Sequence, residues 1–277
     1  MRINTNVSAL QAQRSMSEHN RQIESTTGKL SSGTRVRSAA DDAASLSIGL
    51  KQQSQIRSQY VAIRNANDAV SEFQVAEGSM NEISSMLIRL RELSIQASSD
   101  TLNDENRGLL NNEYMALRSE IERTLKTTKF NGNPLLQVKD NSTRDFQVGT
   151  GAGGESKISI NQKDLSLSEF NLSIVDSTIQ TATDARLNIG YIDKALDKLS
   201  SNRALVGSMQ NRLQSTMNNL EVARTNEASS MSQRLDADYA YESSNNIRAQ
   251  IKFDAATNVL SQTSNFSANA LRLLKDS

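Results

Sequence analysis

The chain contains no cysteine and no tryptophan, one proline, Pro134, and one histidine, His19. Without cysteine there is no disulfide framework, no thiolate nucleophile and no thiolate metal ligand; the absence also suits an exported chain that must avoid crosslinking. A lone histidine excludes a multi-histidine metal centre and leaves a histidine-bearing catalytic dyad without an obvious partner. Six Phe and five Tyr in 277 residues leave little bulk for a globular core, while near-absence of proline is what long helices require. Charge of one sign is missing too: 31 basic and 31 acidic side chains balance, so no overall field draws the protein to nucleic acid or to an anionic membrane. No apolar run approaches the roughly 18 residues of a membrane-spanning helix, and Met1 to Ser17 lacks the apolar core of a cleaved secretory signal, so any export uses another route.

What is present is heptad periodicity. Between Ile56 and Ala97, Ala66, Phe73, Met80 and Leu87 recur every seven residues, and Ala69, Ala76, Ile83, Leu90 and Ala97 follow three residues behind. That is an a/d seam, with Arg64, Asn67, Glu72, Asn81 and Arg91 on the solvated side. A helix carrying it is roughly 60 Å long at 1.5 Å per residue, too long to leave its stripe exposed. Two segments offer cover: Asp104 to Lys126, with Leu109, Leu110, Leu117, Ile121 and Leu125, and Ile192 to Ala223, with Ile192, Leu199, Val206, Leu213 and Leu220 at strict sevens and Met209 and Ala223 on the companion track. Between them, Phe146-Gln147-Val148-Gly149, the Gly151 to Gly154 cluster and Ile158-Ser159-Ile160 read as two short strands with a glycine-rich connection.

The two ends are weaker amphipaths. Ile3, Val7, Leu10, Ile23 and Leu30 mark one stripe; Ile247, Ile251, Ala255, Val259, Phe266, Ala270 and Leu273 mark the other. Neither is rich enough to hold a helix alone in water, so each invites pairing with the other and with copies from other chains. Chemistry-bearing motifs have bland readings. Asp41-Asp42 and Asp236 with Asp238 lie at expected helix starts, where acids cap and complement the dipole. Gly149 to Gly154 lacks the Gly-Lys-Ser/Thr of a phosphate loop. Arg203, Arg212, Arg224 and Arg234 alternate with acids as on a solvated or inter-subunit face, and Asn141-Ser142-Thr143 fits the glycosylation tripeptide. No enzyme, metal site or cofactor is expected.

The stretch Leu30-Ser31-Ser32-Gly33-Thr34-Arg35-Val36-Arg37-Ser38-Ala39-Ala40-Asp41-Asp42-Ala43-Ala44 resembles the linker of bacterial flagellin. Gly33 there can end a helix, and Ser38 or Asp41 can cap the next. The resemblance continues through Arg64-Asn65-Ala66-Asn67-Asp68-Ala69, Arg89-Leu90-Arg91-Glu92-Leu93-Ser94-Ile95-Gln96-Ala97, Phe130-Asn131-Gly132, Asn211-Arg212-Leu213 and Asp236-Ala237-Asp238-Tyr239-Ala240. It implies a mainly α protein: a long antiparallel helical rod or coiled-coil bundle with a small β-hairpin region, and terminal helices pairing as an inner domain. On that pattern 1–32 is the N-terminal inner helix, 33–43 a linker, 44–129 the long rod helices, 130–173 the hairpin region, 174–233 the C-terminal rod helix and 234–277 the C-terminal inner helix. The short middle leaves no room for the large variable outer domains many flagellins carry.

The function this resemblance implies is a secreted subunit polymerising into the hollow extracellular flagellar filament. Its implied partners are copies of itself, an export chaperone, the filament cap and hook-junction proteins; the runner-up is a hook-filament junction or adaptor protein. Gly33, Arg35, Asp41 and Asp42 are implicated in the linker and assembly. Val7, Leu10, Ile23, Leu30, Ile251, Val259, Phe266 and Leu273 are implicated in polymerisation through the terminal helices. In many flagellins a flagellin-sensing Toll-like receptor binds the matching segment, which here carries Arg89, Leu93 and, on the next helix, Glu113. In the heptad register Arg89 falls at c and Leu93 at g, outside the a/d seam.

Overall fold

The computed structural model describes residues 6–137, 142–167 and 177–275, the side chains of 266–275 excepted. Ile3, Asn141 and the side chains of Phe266, Ala270 and Leu273 therefore lie outside the described residues. Helices dominate: α1 (Val7–Ser32), α2 (Ala39–Ala97), α3 (Asp104–Thr127), the single turn α4 (Gln162–Leu165), α5 (Ala182–Leu235) and α6 (Tyr239–Lys275). Four strands pair as two antiparallel hairpins, β1 (Lys129–Phe130) with β2 (Asn133–Pro134) and β3 (Thr143–Gln147) with β4 (Lys157–Asn161). The chain divides into two compact units, residues 57–224 and residues 1–56 with 225–277; α2 and α5 contribute to both.

In the 57–224 unit every residue of the α2 seam from Ala66 to Ala97 named above is buried, and so are Ile192, Leu199, Val206, Met209 and Leu213 on α5. Both neighbours run antiparallel to α2. On the α3 side, Thr128 Oγ1 donates to Ser79 Oγ at 3.0 Å, Arg89 pairs with Glu113, and Arg107 Nε donates to the Ala97 carbonyl at 3.0 Å. On the α5 side, Gln210 Nε2 donates to Glu77 Oε2 at 3.0 Å, Arg91 Nε to Asp193 Oδ1 at 2.7 Å, and Arg186 reaches Asp100 at 3.2 Å.

The α3 stripe differs from the leucine pattern expected of it. Leu109 is 66% exposed, and Leu110 and Leu117 are only partly buried; the buried line is Arg107, Asn111, Tyr114, Ile121 and Leu125. Polar residues win there because non-helical backbone must be satisfied. Arg107 donates to the carbonyls of Ala97 and Ser99 at the end of α2. Asn111 Oδ1 accepts the Ile179 amide at 3.0 Å, and the Tyr114 and Ser177 hydroxyls are 2.9 Å apart. Asn188, seven residues before Ala195, and Asn202, midway between Ala195 and Met209 on the same α5 track, donate to the carbonyls of Thr178 and Leu165.

The β3–β4 hairpin packs on α2 through one face. Ile158 and Ile160 are buried on β4, and Phe146 meets Phe73 edge-on at 5.5 Å between centroids. Glu72 and Arg144 form a largely buried ion pair beside that contact, and Asn65 Nδ2 donates to the Gln147 carbonyl at 3.1 Å. Burial pushes the Glu72 carboxyl above its ordinary range despite the guanidinium. The Gly149 to Gly154 stretch is the turn of this hairpin, tied by Gln147 Nε2 to the carbonyls of Gly149 and Gly151. Asn131 (φ 48°) and Gly132 (φ 81°) supply the left-handed pair that closes β1 onto β2.

Candidate assembly surfaces

The unit of residues 1–56 and 225–277 is built on α1 and α6, which pair antiparallel. Asn6 starts α1 by accepting the Ala9 amide at 3.1 Å, and its own amide donates to the Thr263 carbonyl at 3.1 Å. Farther along, Asn246 Nδ2 donates to Thr26 Oγ1 at 2.8 Å and Thr27 Oγ1 at 2.9 Å, and Lys29 meets Glu242 at 3.2 Å. The buried face consists of small and polar residues: Ala12, Thr26, Glu242, Asn246, Ala249 and Ala256.

The apolar stripes expected to join these helices to one another do not do so. Val7, Leu10, Ile247, Ile251 and Val259 are exposed, Val7 and Ile251 each to 62%, while Ile23 and Leu30 are half-buried. Small residues let two helix backbones approach closely, and the larger aliphatic side chains then project from the outside of the pair. What the sequence pattern marked is an unpartnered surface rather than the contact within the chain.

The connection between α1 and the long helix is built from caps. Gly33 ends α1 in the left-handed region (φ 68°, ψ 6°), its amide donating to the Lys29 carbonyl at 2.9 Å. Ser38 opens the next turn, and Asp41 reaches back to accept the amides of Arg37 and Ser38, both at 3.0 Å. Asp42 is extended (φ −163°, ψ 99°), which interrupts α2 near its start; its side chain accepts the Ser45 amide at 2.9 Å and so caps the long helix proper. These bonds hold both carboxyls below the usual aspartate range, Asp41 chiefly through the Arg37 amide and Asp42 chiefly through the Ser45 hydroxyl. Arg35 turns to α5, donating from its guanidinium to the Arg234 carbonyl at 2.6 Å. Asp238 caps α6 by accepting the amides of Ala240 and Tyr241. Among the described residues no three His, Asp or Glu side chains gather as a metal group.

On the 57–224 unit, Arg89 and Glu113 lie on the surface and face each other: Arg89 Nη2 is 2.8 Å from Glu113 Oε1, and Nη1 donates to Glu92 Oε2 at 3.0 Å. The two carboxylates hold the guanidinium firmly protonated. Leu93 is not beside them on the surface; it is 1% exposed. With α3 and α5 both against α2, the covered arc is wider than an a/d seam, and the g position is inside it.

A family model for the bacterial flagellin N-terminal helical region matches residues 3–141, and one for the bacterial flagellin C-terminal helical region matches residues 189–274. The chain belongs to the flagellin family. A flagellin of Halalkalibacterium halodurans is 36% identical over 275 residues, 99% of this chain and 100% of that one. A flagellin of Bacillus subtilis is 32% identical over 306 residues, again 99% of this chain and 100% of the relative. Among solved structures, the crystal structure of Bacillus cereus flagellin aligns with a TM-score of 0.50 at 26% identity, covering 57% of this chain and 88% of that chain. A putative flagellar hook-associated protein from Vibrio parahaemolyticus aligns with a TM-score of 0.61 over 71% of this chain, but at 14% identity that likeness is one of fold alone. As a flagellin, the chain is a structural subunit of the extracellular flagellar filament that polymerises with its own copies, and it is not an enzyme. No helix among the described residues is long and apolar enough to cross a membrane.

Proposed function

We propose that the filament contact is made by the outward aliphatic stripe of the α1–α6 pair, and that the subunit reaches its place unfolded. The observation that carries this reading is the exposure of Val7, Leu10, Ile247, Ile251 and Val259 on helices whose facing sides are already closed by alanine, threonine and asparagine. Burying one such side chain is worth about 1.5–3 kcal/mol, and further copies of the same helices supply the cover. A contact between different patches of identical subunits propagates as a helix of subunits when its rotation does not close into a ring. The terminal pairs then form an inner tube around a channel. Subunits travel through that channel by the flagellar type III export route and fold at the tip beneath a cap. An export chaperone and hook-junction proteins serve the same path. Deferring order at the ends suits it, because neighbouring subunits provide the buried surface where folding finishes. Ile251→Glu and Leu10→Glu test the stripe: each is expected to keep its helical circular dichroism and to stop sedimenting as polymer, whereas normal filaments from both variants overturn the reading.

A second activity, sensing of released monomer by a flagellin-sensing Toll-like receptor, rests on the exposed Arg89–Glu113 pair. Arginine offers a planar fork for carboxylates and carbonyls, and it is prominent among interface hot spots. Leu93, being buried, serves such a surface only by setting the shape of α2 beneath it.

A further inference from the structure

The two interruptions in the helices of the 1–56 and 225–277 unit meet. At one, α1 stops at Gly33 and the chain runs extended to Ser38; at the other, α5 stops at Leu235 and α6 begins at Tyr239. Each break leaves helix-end carbonyls without helical partners. The Arg35 amide donates to the Leu235 carbonyl at 2.7 Å, with the Val36 amide at 3.4 Å from the same oxygen, and the Ala237 amide donates to the Gly33 carbonyl at 2.9 Å. Thr34 and Asp236 sit opposite one another as an antiparallel bridge. The Arg35 guanidinium takes the Arg234 carbonyl at 2.6 Å. Val36 is buried, and the Leu235 side chain lies so close over Gly49 that a Cβ on that glycine would sit 2.4 Å from Leu235 Cδ1. Lys29 and Glu242 close the far side.

We infer that the two breaks form one clasp, whose N-terminal and C-terminal halves become ordered only together. Each half lacks what it needs by itself. Among the described residues, the helix-end carbonyls of Arg234 and Leu235 accept from residues 35–36, and that of Gly33 accepts from Ala237. A lone extended segment with unpaired backbone groups has no reason to hold one conformation. Joining segments some 200 residues apart in the chain (|i−j| is 199 for Arg35 and Arg234) is costly as loop closure, but α2 and α5 already run antiparallel here, with Gln52 Nε2 donating to Ser230 Oγ at 3.1 Å. The clasp is therefore a checkpoint on both chain ends. Anything that displaces the 236–238 segment removes the Ala237 donor, and so loosens the linker after α1 without touching it. This device concerns the order of the linkers and is independent of which surface builds the filament.

Hydrogen exchange at individual amides of the full chain tests it, wild type and variants being compared by residue under the same seeded conditions. Ala237→Pro deletes one donor in a segment that already precedes a helix cap, so α6 keeps its own start. The expected result is exchange at the Arg35 and Val36 amides at least tenfold faster than in the wild type, with the Ile83 and Leu199 amides unchanged. Arg35→Pro is the reciprocal variant, and it is expected to speed exchange at Ala237 by a similar factor. Arg35 and Val36 amides that exchange freely in the wild type, or that stay protected in Ala237→Pro while Ala237 stays protected in Arg35→Pro, overturn the inference.

Discussion

Four single residues, Gly33, Arg107, Arg89 and Glu113, can be tested directly. Gly33 occupies the left-handed region at φ 68° with no atom within 4 Å of where a Cβ would stand. The cost of a side chain there is purely conformational, about 1–2 kcal/mol. Gly33→Val is thus expected to impair assembly and swimming while the helical content of the monomer stays nearly intact; unchanged motility would place the requirement elsewhere. Arg107 is buried and donates to two carbonyls beyond the end of α2. Its replacement by alanine removes the side-chain donor of the Ala97 carbonyl, and urea denaturation is expected to show a loss of roughly 1–3 kcal/mol, against no change if water replaces the guanidinium. Arg89 and Glu113, by contrast, are exposed partners whose mutual attraction adds little to stability. Arg89→Ala and Glu113→Ala are expected to leave the melting temperature in place and to weaken the response of a receptor-reporter assay on monomeric protein about tenfold. Variants as active as the wild type would remove that role.

At the level of elements, the sequence is most legible where burial and heptad spacing coincide. The α2 seam and the Ile192–Leu213 track of α5 can be read directly, because nothing but apolar packing is asked of them. The Ile158–Ile160 alternation likewise marks β4. Reading fails where a helix has a second task. On α3, leucines at helical spacing pointed to Leu109, yet the covered line goes through Arg107, Asn111 and Tyr114, which satisfy the end of α2 and the 177–179 segment. On α5, Asn188, Ala195, Asn202 and Met209 stand seven apart, so the two asparagines were recoverable from register had polar residues been admitted to a seam. For the terminal helices the apolar pattern was visible, but periodicity alone does not say whether a stripe faces the same chain or another.

The start of the long helix supplies a pH test at this same scale. Asp41 and Asp42 have their folded pKa values lowered from the ordinary 3.8 by amide and hydroxyl donors. An acid with a depressed folded pKa stabilises the fold at all pH values above its unfolded pKa, and that contribution is lost as pH falls through the folded one. Asp42→Ala is therefore expected to melt below the wild type at neutral pH, with the difference shrinking once the pH drops under about 3.8. A difference independent of pH would assign the effect of Asp42 to backbone geometry instead of its charge.

The whole molecule consists of a unit with a closed apolar core, residues 57–224, and a unit whose inner face is small and polar and whose large aliphatic residues look outward. Deleting Asn246 to Ser277 should accordingly leave the 57–224 unit folded, with its circular dichroism melt retained, and abolish stable polymer in sedimentation; normal polymers from the truncated chain would show that the stripe is dispensable. The central claim, that this chain builds a hollow filament through its terminal helices, is tested most directly by electron microscopy of the purified full-length protein after seeding. The account predicts helical filaments with a central channel, formed by the wild type and absent from Ile251→Glu. A monomer that forms no filaments on seeding, or filaments that form equally well from Ile251→Glu, would contradict it.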